Sequence, residues 1–314
     1  MNVLVTGGAG FIGSNLAQAL VDAGHSTRVL DDLSTGFLEN VPAKAELIEG
    51  DVADAETVAK AVKGVEVVFH LAAHRAVFRS VEHPLTTDTV NVHGTLNVLK
   101  ASADSGVRRV VSASSSSVYG GAAKMPTPED EPLWPRSPYA VTKLAGEHYC
   151  RVFSELFGLE TVSLRYFNVF GPRQRPDSAY AAVIPLFMEA LRSGAPPTVH
   201  GDGRQSRAFV YVADAVAANL AAATAPAASC RGQAYNVAGR RSVDLLELLA
   251  ILGRIFGTEP RPVHVAPRPG DVRHTSADVS AAARGLGFEP EVDLEEGLRR
   301  TVEWFSTLAG GREA

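Results

Sequence analysis

Two cysteines, Cys150 and Cys230, are all that the 314 residues contain. That is too few for a disulfide framework or a thiolate metal site, and it fits a reducing compartment. No bound metal is expected. Basic residues are not in excess: 30 Lys and Arg stand against 35 Asp and Glu, a net charge of −5. A nucleic-acid or anionic-membrane binder needs a basic footprint that this balance does not supply, although a local cationic pocket for a small anion stays open. No apolar run is long enough to span a membrane. The alanine-rich stretch at 216–228 is interrupted by Asn219 and Pro226 and reads as a packed helix. The first residues show no basic segment leading into an apolar one, so no signal peptide is expected and the reading is a cytoplasmic protein. Like-charge blocks, short-period repeats and low-complexity tracts are absent. With 46% hydrophobic and 21% charged residues, the chain has the composition of a globular protein of one large or two small domains.

In the first half, short β-branched runs alternate with helix-like segments. Strands are expected at 3–6, 27–30, 45–49, 65–70, 107–113 and 161–165. Helices are expected at 13–23, 55–62, 88–105 and 139–157. Such alternation implies an α/β fold, a doubly wound, Rossmann-like parallel sheet with helices on both faces. The second half is broken by Pro172, Pro176, Pro185, Pro196, Pro197 and the run 267–270. Leu245, Leu249 and Leu252 mark an amphipathic helix; Leu294, Leu298 and Phe305 mark a last one. The division predicted is a cofactor domain at 1–167 and a smaller α+β substrate lobe at 168–314. Segments near 209–212 and 235–237 are expected to return to the main sheet.

Gly7, Gly8, Gly10 and Gly13 follow the first strand and open the first helix. Glycine is needed where the chain turns sharply and where backbone must approach a pyrophosphate, and the helix N-terminus then offers free N–H groups to the anion. An acidic residue is expected roughly 20 residues later to bond the adenosine ribose. Asp31 meets that expectation and would repel a 2′-phosphate, which favours NAD over NADP; it would equally cap a turn. Asp51, after the third strand, is either an adenine contact or the N-cap of the helix that follows.

Tyr139 and Lys143 form Y-x-x-x-K, which on a helix puts both on one face. A neighbouring ammonium favours the tyrosinate and is expected to lower its pKa. Upstream, four serines at 114–117 end the fifth strand, at the carboxyl edge where open α/β sheets bind ligands.

Further stretches extend the pattern: His70-Leu71-Ala72-Ala73, Asn91-Val92-His93-Gly94-Thr95, Arg165-Tyr166-Phe167-Asn168-Val169-Phe170-Gly171-Pro172, residues 201–212 and Arg268-Pro269-Gly270-Asp271. Together with the glycine loop, the serines and Tyr139–Lys143, they resemble the extended short-chain dehydrogenase/reductases. Within that superfamily they resemble the NAD-dependent epimerase/dehydratase family and, most closely, the UDP-hexose 4-epimerases. The resemblance covers nearly the whole chain. It implies NAD held by Gly7, Gly10, Phe11, Ile12, Gly13, Asp31, Asp51 and Val52, with Leu71, Ala72, Ala73, Arg75, Asn91, Tyr139, Lys143 and Tyr166 completing the set. It places the catalytic hydroxyl at Ser115, beside Tyr139 and Lys143. The UDP-sugar would meet Ser115, Ser116 and Tyr139, with Asn168, Arg207 and Arg268 on its diphosphate, Asp271 on its ribose and Thr275 at the hexose.

Dehydratases of this family carry an Asp-Glu pair after the catalytic hydroxyl, and related uronate decarboxylases a Glu at the second position. Ser116 and Ser117 stand there instead, which favours epimerisation over elimination; a reductase or dehydratase on the same scaffold is the alternative. Thr275 is small where a bulky Tyr would restrict the pocket, so hexoses, uronates and N-acetylhexosamines are all open. NAD-sensing scaffolds of the superfamily usually lose the Tyr or the Lys, and this chain keeps both. A homodimer through the helices near 88–105 and 139–157 is also implied, although Leu96, Val98 and Leu99 would equally serve the chain's own core. His70 and His74 read as packing groups or as groups supporting the site residues, rather than as metal ligands, since no ligand cluster accompanies them. Arg79, Arg173 and Arg175 have no assigned role, and a solvated surface is expected for them.

Overall fold

The computed structural model describes residues 1–174, 182–267 and 272–310. Its centre is a seven-stranded sheet in which every pairing is parallel. The first six strands are β1 (Asn2–Thr6), β2 (Ser26–Asp31), β3 (Glu46–Glu49), β4 (Val67–His70), β5 (Arg109–Ser115) and β6 (Glu160–Tyr166). The helices between them are α1 (Phe11–Asp22), α2 (Ala55–Ala61), α3 (Val77–Glu82), α4 (Pro84–Asp88), α5 (Gly94–Asp104) and α6 (Pro138–Phe157). Residues 89–93 make a π turn that joins α4 to α5, so the expected single helix at 88–105 contains a local widening. Val98 and Leu99 of α5 are fully buried in the chain's own core.

The second half adds β7 (Val169–Phe170), α7 (Val183–Ser193), β8 (Thr198–His200), β9 (Ser206–Ala208), β10 (Val210–Tyr211), α8 (Val212–Thr224) and β11 (Arg231–Val237). It ends with β12 (Ser242–Asp244), α9 (Leu245–Phe256), β13 (Val263–Val265), α10 (Ser280–Leu286) and α11 (Leu294–Gly310). The strand order is β11-β6-β5-β4-β1-β2-β3. Order reverses between β1 and β4, and a crevice opens there at the carboxyl ends of the strands.

The second lobe differs from the sequence expectation in one pairing. Val210 and Tyr211 do not return to the main sheet; they pair with Val169 and Phe170 in a separate two-stranded piece. The sheet edge beyond β6 is already taken by β11, and Phe170 and Tyr211 belong to the second core, with Phe187, Leu248 and Leu298. The second half also gives more to the first body than one strand. Helix α8 buries Ala215, Ala218 and Ala222 in the same core as Leu16 and Leu20 of α1, and Ala282, Leu286 and Phe288 join it. Among the described residues no helix is long and apolar enough to cross a membrane.

Local signals set the helix that matters most for the site. Ser137 accepts a hydrogen bond from the Ala140 N–H at 3.1 Å and Pro138 occupies the first helical turn; both are strong starts. Gly158, at φ 69°, ends α6 in the left-handed conformation.

Candidate active site

At the head of α1 the backbone itself forms the cradle. Gly7 sits at φ +71°, and a Cβ there would lie 2.7 Å from the Ala72 nitrogen. At Gly13 a Cβ would lie 2.1 Å from the Gly7 carbonyl oxygen. No side chain caps α1 and no acidic residue sits in its first turn. The leading N–H groups are therefore left to an anion, as a pyrophosphate site requires.

One pocket collects most of the residues singled out in the sequence. Gly7, Gly10, Phe11, Ile12 and Gly13 line its floor, Asp31, Asp51 and Val52 one side, and Leu71, Ala72, Ala73 and Arg75 the other; Tyr139, Lys143 and Tyr166 close it. Asp31 is buried, and burial raises its pKa against the opposing bonds from the Ala9 and Leu33 N–H groups, both 2.9 Å. It thus caps its turn and also faces the pocket. Asp51 accepts from the Ala53 N–H at 2.8 Å, but the N-cap of α2 is Asp54, not Asp51. A dinucleotide suits this cleft: free amides at one end, carboxylates beyond β2 and β3, and glycines where side chains would fill the space.

Asn91 departs from the expected cofactor set. It is buried and does not line the pocket. Its amide accepts from the His74 N–H at 2.7 Å and donates to the His74 carbonyl at 3.1 Å and to Thr142 Oγ1 at 3.0 Å. It holds the pocket wall to α6 instead. Asp32, Ser34, Thr35, His74, Ala113 and Ser114 line the pocket without having been singled out for it. For Asp32 the available signal was the Asp32-Leu33-Ser34 turn, where its Oδ1 accepts from the Ser34 N–H at 3.0 Å.

Tyr139, Ser115 and Lys143 converge at the far end. The Tyr139 phenol comes close enough to Ser115 for that hydroxyl to oppose the rise of its pKa. Ser115 also accepts from the Ser117 hydroxyl at 2.9 Å. Lys143 donates to the Ala113 carbonyl at 2.8 Å. The electrostatics differ from the sequence expectation. Burial raises the Tyr139 pKa, and the Ser115 hydroxyl and the charge of Arg75 oppose that rise. Lys143 is half-buried, and desolvation pushes its ammonium down to about 8 against the charge of Glu147. An i, i+4 spacing puts the two on one face; the lysine bonds the strand, and Arg75, from the loop after β4, adds a cation that favours the phenolate.

His70 is wholly buried between Thr6 Oγ1 (2.8 Å) and Thr95 Oγ1 (2.9 Å), and burial holds its pKa down to about 3, so it is a neutral packing group. Arg79 and Arg173 are not simply solvated. Arg79 Nη2 lies 3.4 Å from His74 Nε2, and Arg173, at φ 71°, has a buried Nη1. Arg175 lies outside the described residues.

A second cavity of about 500 Å³ opens in the C-terminal lobe, lined by Asn168, Phe187, His200, Gln205, Arg207 and Phe209 among others. Arg207 Nη1 donates to the carbonyls of Ser206 (2.8 Å) and Arg273 (3.2 Å). Asn168, at φ 37°, donates to the Ala208 carbonyl at 3.0 Å. Thr275 lines neither of these cavities; its Oγ1 accepts from the Ala208 N–H at 3.3 Å, beside Arg207. Ser116 begins a short 3₁₀ turn next to Ser115. Arg268 and Asp271 lie outside the described residues. Among the described residues no group of three or more His, Cys, Asp or Glu is arranged to hold a metal ion.

Residues 3–238 match the model of the NAD dependent epimerase/dehydratase family. The chain is 41% identical over 312 residues to the UDP-glucose 4-epimerase of Mycolicibacterium smegmatis, covering 97% of this chain and 98% of that one. Among solved structures it is similar to the UDP-glucose 4-epimerase of Thermotoga maritima, crystallised with UDP-glucose. Identity there is 38%, the TM-score 0.94, and coverage 98% of this chain and 100% of that one. It is also similar to a UDP-N-acetylglucosamine 4-epimerase from Methanobrevibacter ruminantium, in complex with UDP-N-acetylmuramic acid. In that case identity is 40%, the TM-score 0.92, and coverage 98% of both chains.

Proposed function

The chain belongs to the NAD dependent epimerase/dehydratase family, whose cofactor is NAD, and from that premise we propose that it inverts C4 of a UDP-hexose. The substrate is of the glucose/galactose, glucuronate or N-acetylglucosamine kind. The observation that carries the reading is the convergence of Tyr139, Lys143 and the end of β5 in the cofactor pocket, with hydroxyls and no carboxyl at 116 and 117. Elimination around C5 and C6 needs an acid and a base at that place; epimerisation needs only a proton carrier at the 4-hydroxyl.

Tyr139, as phenolate, takes the proton from the sugar 4-hydroxyl, with Ser115 bridging. NAD, held by the glycine loop and Asp31, would supply the reversible two-electron chemistry at C4. The 4-keto sugar turns about its diphosphate linkage between the two transfers and presents its other face. Tyr139 then gives the proton back, so no net oxidation occurs. Lys143 holds its end of the pocket positive. Arg207, in the second cavity, grips the diphosphate, as a guanidinium does well. Asn168, Arg268, Asp271 and Thr275 complete the proposed sugar-nucleotide site.

A homodimer belongs to the same reading. Val81, Leu85 and Val141 stay 61, 83 and 52% exposed on α3, α4 and α6, helices that pack on one another. Together they offer an apolar face to a second copy.

The test is product analysis by NMR of the purified protein, without added NAD, on UDP-glucose, UDP-glucuronate, UDP-N-acetylglucosamine and their galacto forms. Conversion of a pair to a stable mixture is expected, with Tyr139→Phe losing at least about a hundredfold of turnover while keeping NAD. A product that has lost water, net NADH consumption, or full activity in Tyr139→Phe would sink the reading.

A further inference from the structure

A helix usually meets a sheet through apolar side chains. Where α6 crosses β5 and β6, the apolar packing of Cys150 and Phe153 gives way to a polar cluster. Ser112 pairs with Ser163 and Ser114 with Arg165 in parallel register, so one face of the sheet carries polar side chains. Against it α6 sets Lys143, Glu147 and Cys150, spaced along one stripe. Ser114 donates to Glu147 Oε1. Arg165 donates to both carboxylate oxygens of Glu147, at 2.9 and 2.7 Å. Its remaining Nη1 reaches the Tyr119 hydroxyl at 2.8 Å and the Glu129 carbonyl at 2.9 Å. The Tyr119 hydroxyl in turn donates to Asn236 Oδ1 at 2.7 Å. The two charged side chains are only 8 and 5% exposed.

A buried ion pair is a poor source of stability, since desolvation offsets much of the attraction; its better-attested use is to fix one geometry among several. The geometry fixed here is specific. Glu147 is one turn beyond Lys143 and two beyond Tyr139. Ser114 and Arg165 immediately precede Ser115 and Tyr166 on neighbouring strands. A rotation of α6 that moved Tyr139 from Ser115 would also break the two-oxygen grip of Arg165.

We propose that Glu147 is a positioning residue: clamped by Arg165, it holds the end of β5 through Ser114 and fixes the face of α6 that presents Tyr139 to Ser115 and Lys143 to the Ala113 carbonyl. The inference rests on the catalytic reading given above for Tyr139, Ser115 and Lys143. It has an electrostatic signature. The groups facing Lys143 are Glu147 and Cys150 from α6 itself and His70 from β4. His70 is neutral and the Cys150 thiol is pushed up by burial to about 11, so at neutral pH Glu147 is the anion that helps Lys143 keep its proton.

The experiment compares three variants of the NAD-loaded enzyme: Glu147→Gln/Arg165→Gln, which leaves a neutral amide pair, Ser114→Ala, and Tyr139→Phe. In the amide pair, bound NAD and KM are expected to stay within about twofold, while kcat falls roughly 10- to 100-fold, as a misplaced reacting group does. The alkaline limb of kcat should move to lower pH. In the protein stripped of NAD, the rise of stability with alkaline pH should begin lower as well, because the lysine then releases its proton earlier. Ser114→Ala should lose about three- to tenfold in kcat with no shift of the limb. An amide-pair variant with the parent's kcat and limb overturns the inference. If that variant does not fold, Ser114→Ala decides, and a kcat within twofold of the parent overturns it. Full turnover in Tyr139→Phe overturns the catalytic reading itself; a dead Tyr139→Phe beside an unchanged amide pair overturns only the positioning role.

Discussion

The two cavities are built from different materials. The cleft at the head of α1 is made by backbone: glycines at 7, 10 and 13, free amides of a helix end, and the carboxyl ends of adjacent parallel strands. The cavity in the C-terminal lobe is made by side chains from helix α7, short strands and the loops between them, with Phe187, Phe209, His200 and Arg207 brought from separate segments. Backbone-made sites tolerate almost no added atom where they are tight, while side-chain-made sites can change one contact at a time. A scaffold of this kind can hold one cofactor constant while its ligand lobe varies.

The hardest test of that contrast is Gly13→Ala. With a Cβ 2.1 Å from the Gly7 oxygen, the loop must shift. Overpacking of this sort costs about 1–3 kcal/mol, and co-purifying NAD should be lost. A variant that keeps both its melting temperature and its NAD would show that the cradle is not backbone-limited. Arg207→Met should be milder and should separate the two cavities. NAD content stays as in the parent, and KM for the UDP-sugar rises about 10- to 100-fold, the worth of a charge-assisted hydrogen bond. A fall in NAD content alone would place Arg207 on the wrong cavity.

The next effect is one of pH. Folded Lys143 titrates near 8 and its ordinary value is 10.5. The unfolded chain therefore binds more protons between those values, so this group makes stability rise with pH across that window and leaves it flat below. In the NAD-free protein, the stability difference between the parent and Lys143→Met should change only between about pH 8 and 10.5. A difference independent of pH would mean that the ammonium is not desolvated. The smallest effect on chemistry should follow Leu85→Lys, a substitution at an 83% exposed apolar side chain. Light scattering should report a shift from dimer to monomer with kcat within about twofold; a monomeric parent would remove the dimer from the functional reading.

Much of the first cavity was legible in the sequence because its signals are local. Strand, glycine turn and helix follow one another within the first 22 residues, and Tyr139 and Lys143 share one helix. Local spacing misled where a side chain had a closer partner. Lys143 turned to the Ala113 carbonyl, and Asn91 spent its amide on the backbone of His74 and on Thr142. Ser114 and Glu147 were missed because their meeting depends on register: Arg165 sits on a different strand and comes opposite Ser114 only once β6 has paired with β5. The return of 209–212 to the main sheet failed for a similar reason. A short β-branched run states its propensity but not which edge is free, and β11 had taken the edge beside β6.

That edge strand has a consequence for how the molecule can be cut. The chain leaves the large sheet after β6, builds β7 to β10, comes back as α8 and β11, departs for β12, α9 and β13, returns as α10, and departs again as α11. The two bodies are therefore sewn together rather than strung in series. A fragment ending at residue 167 would keep every glycine of the cradle and the Tyr139–Lys143 helix. It would nonetheless lack β11, leaving β6 with a row of unpaired amides and carbonyls open to any passing strand. Neither body is a detachable module, and exchanging ligand lobes between relatives would mean splicing at several seams at once.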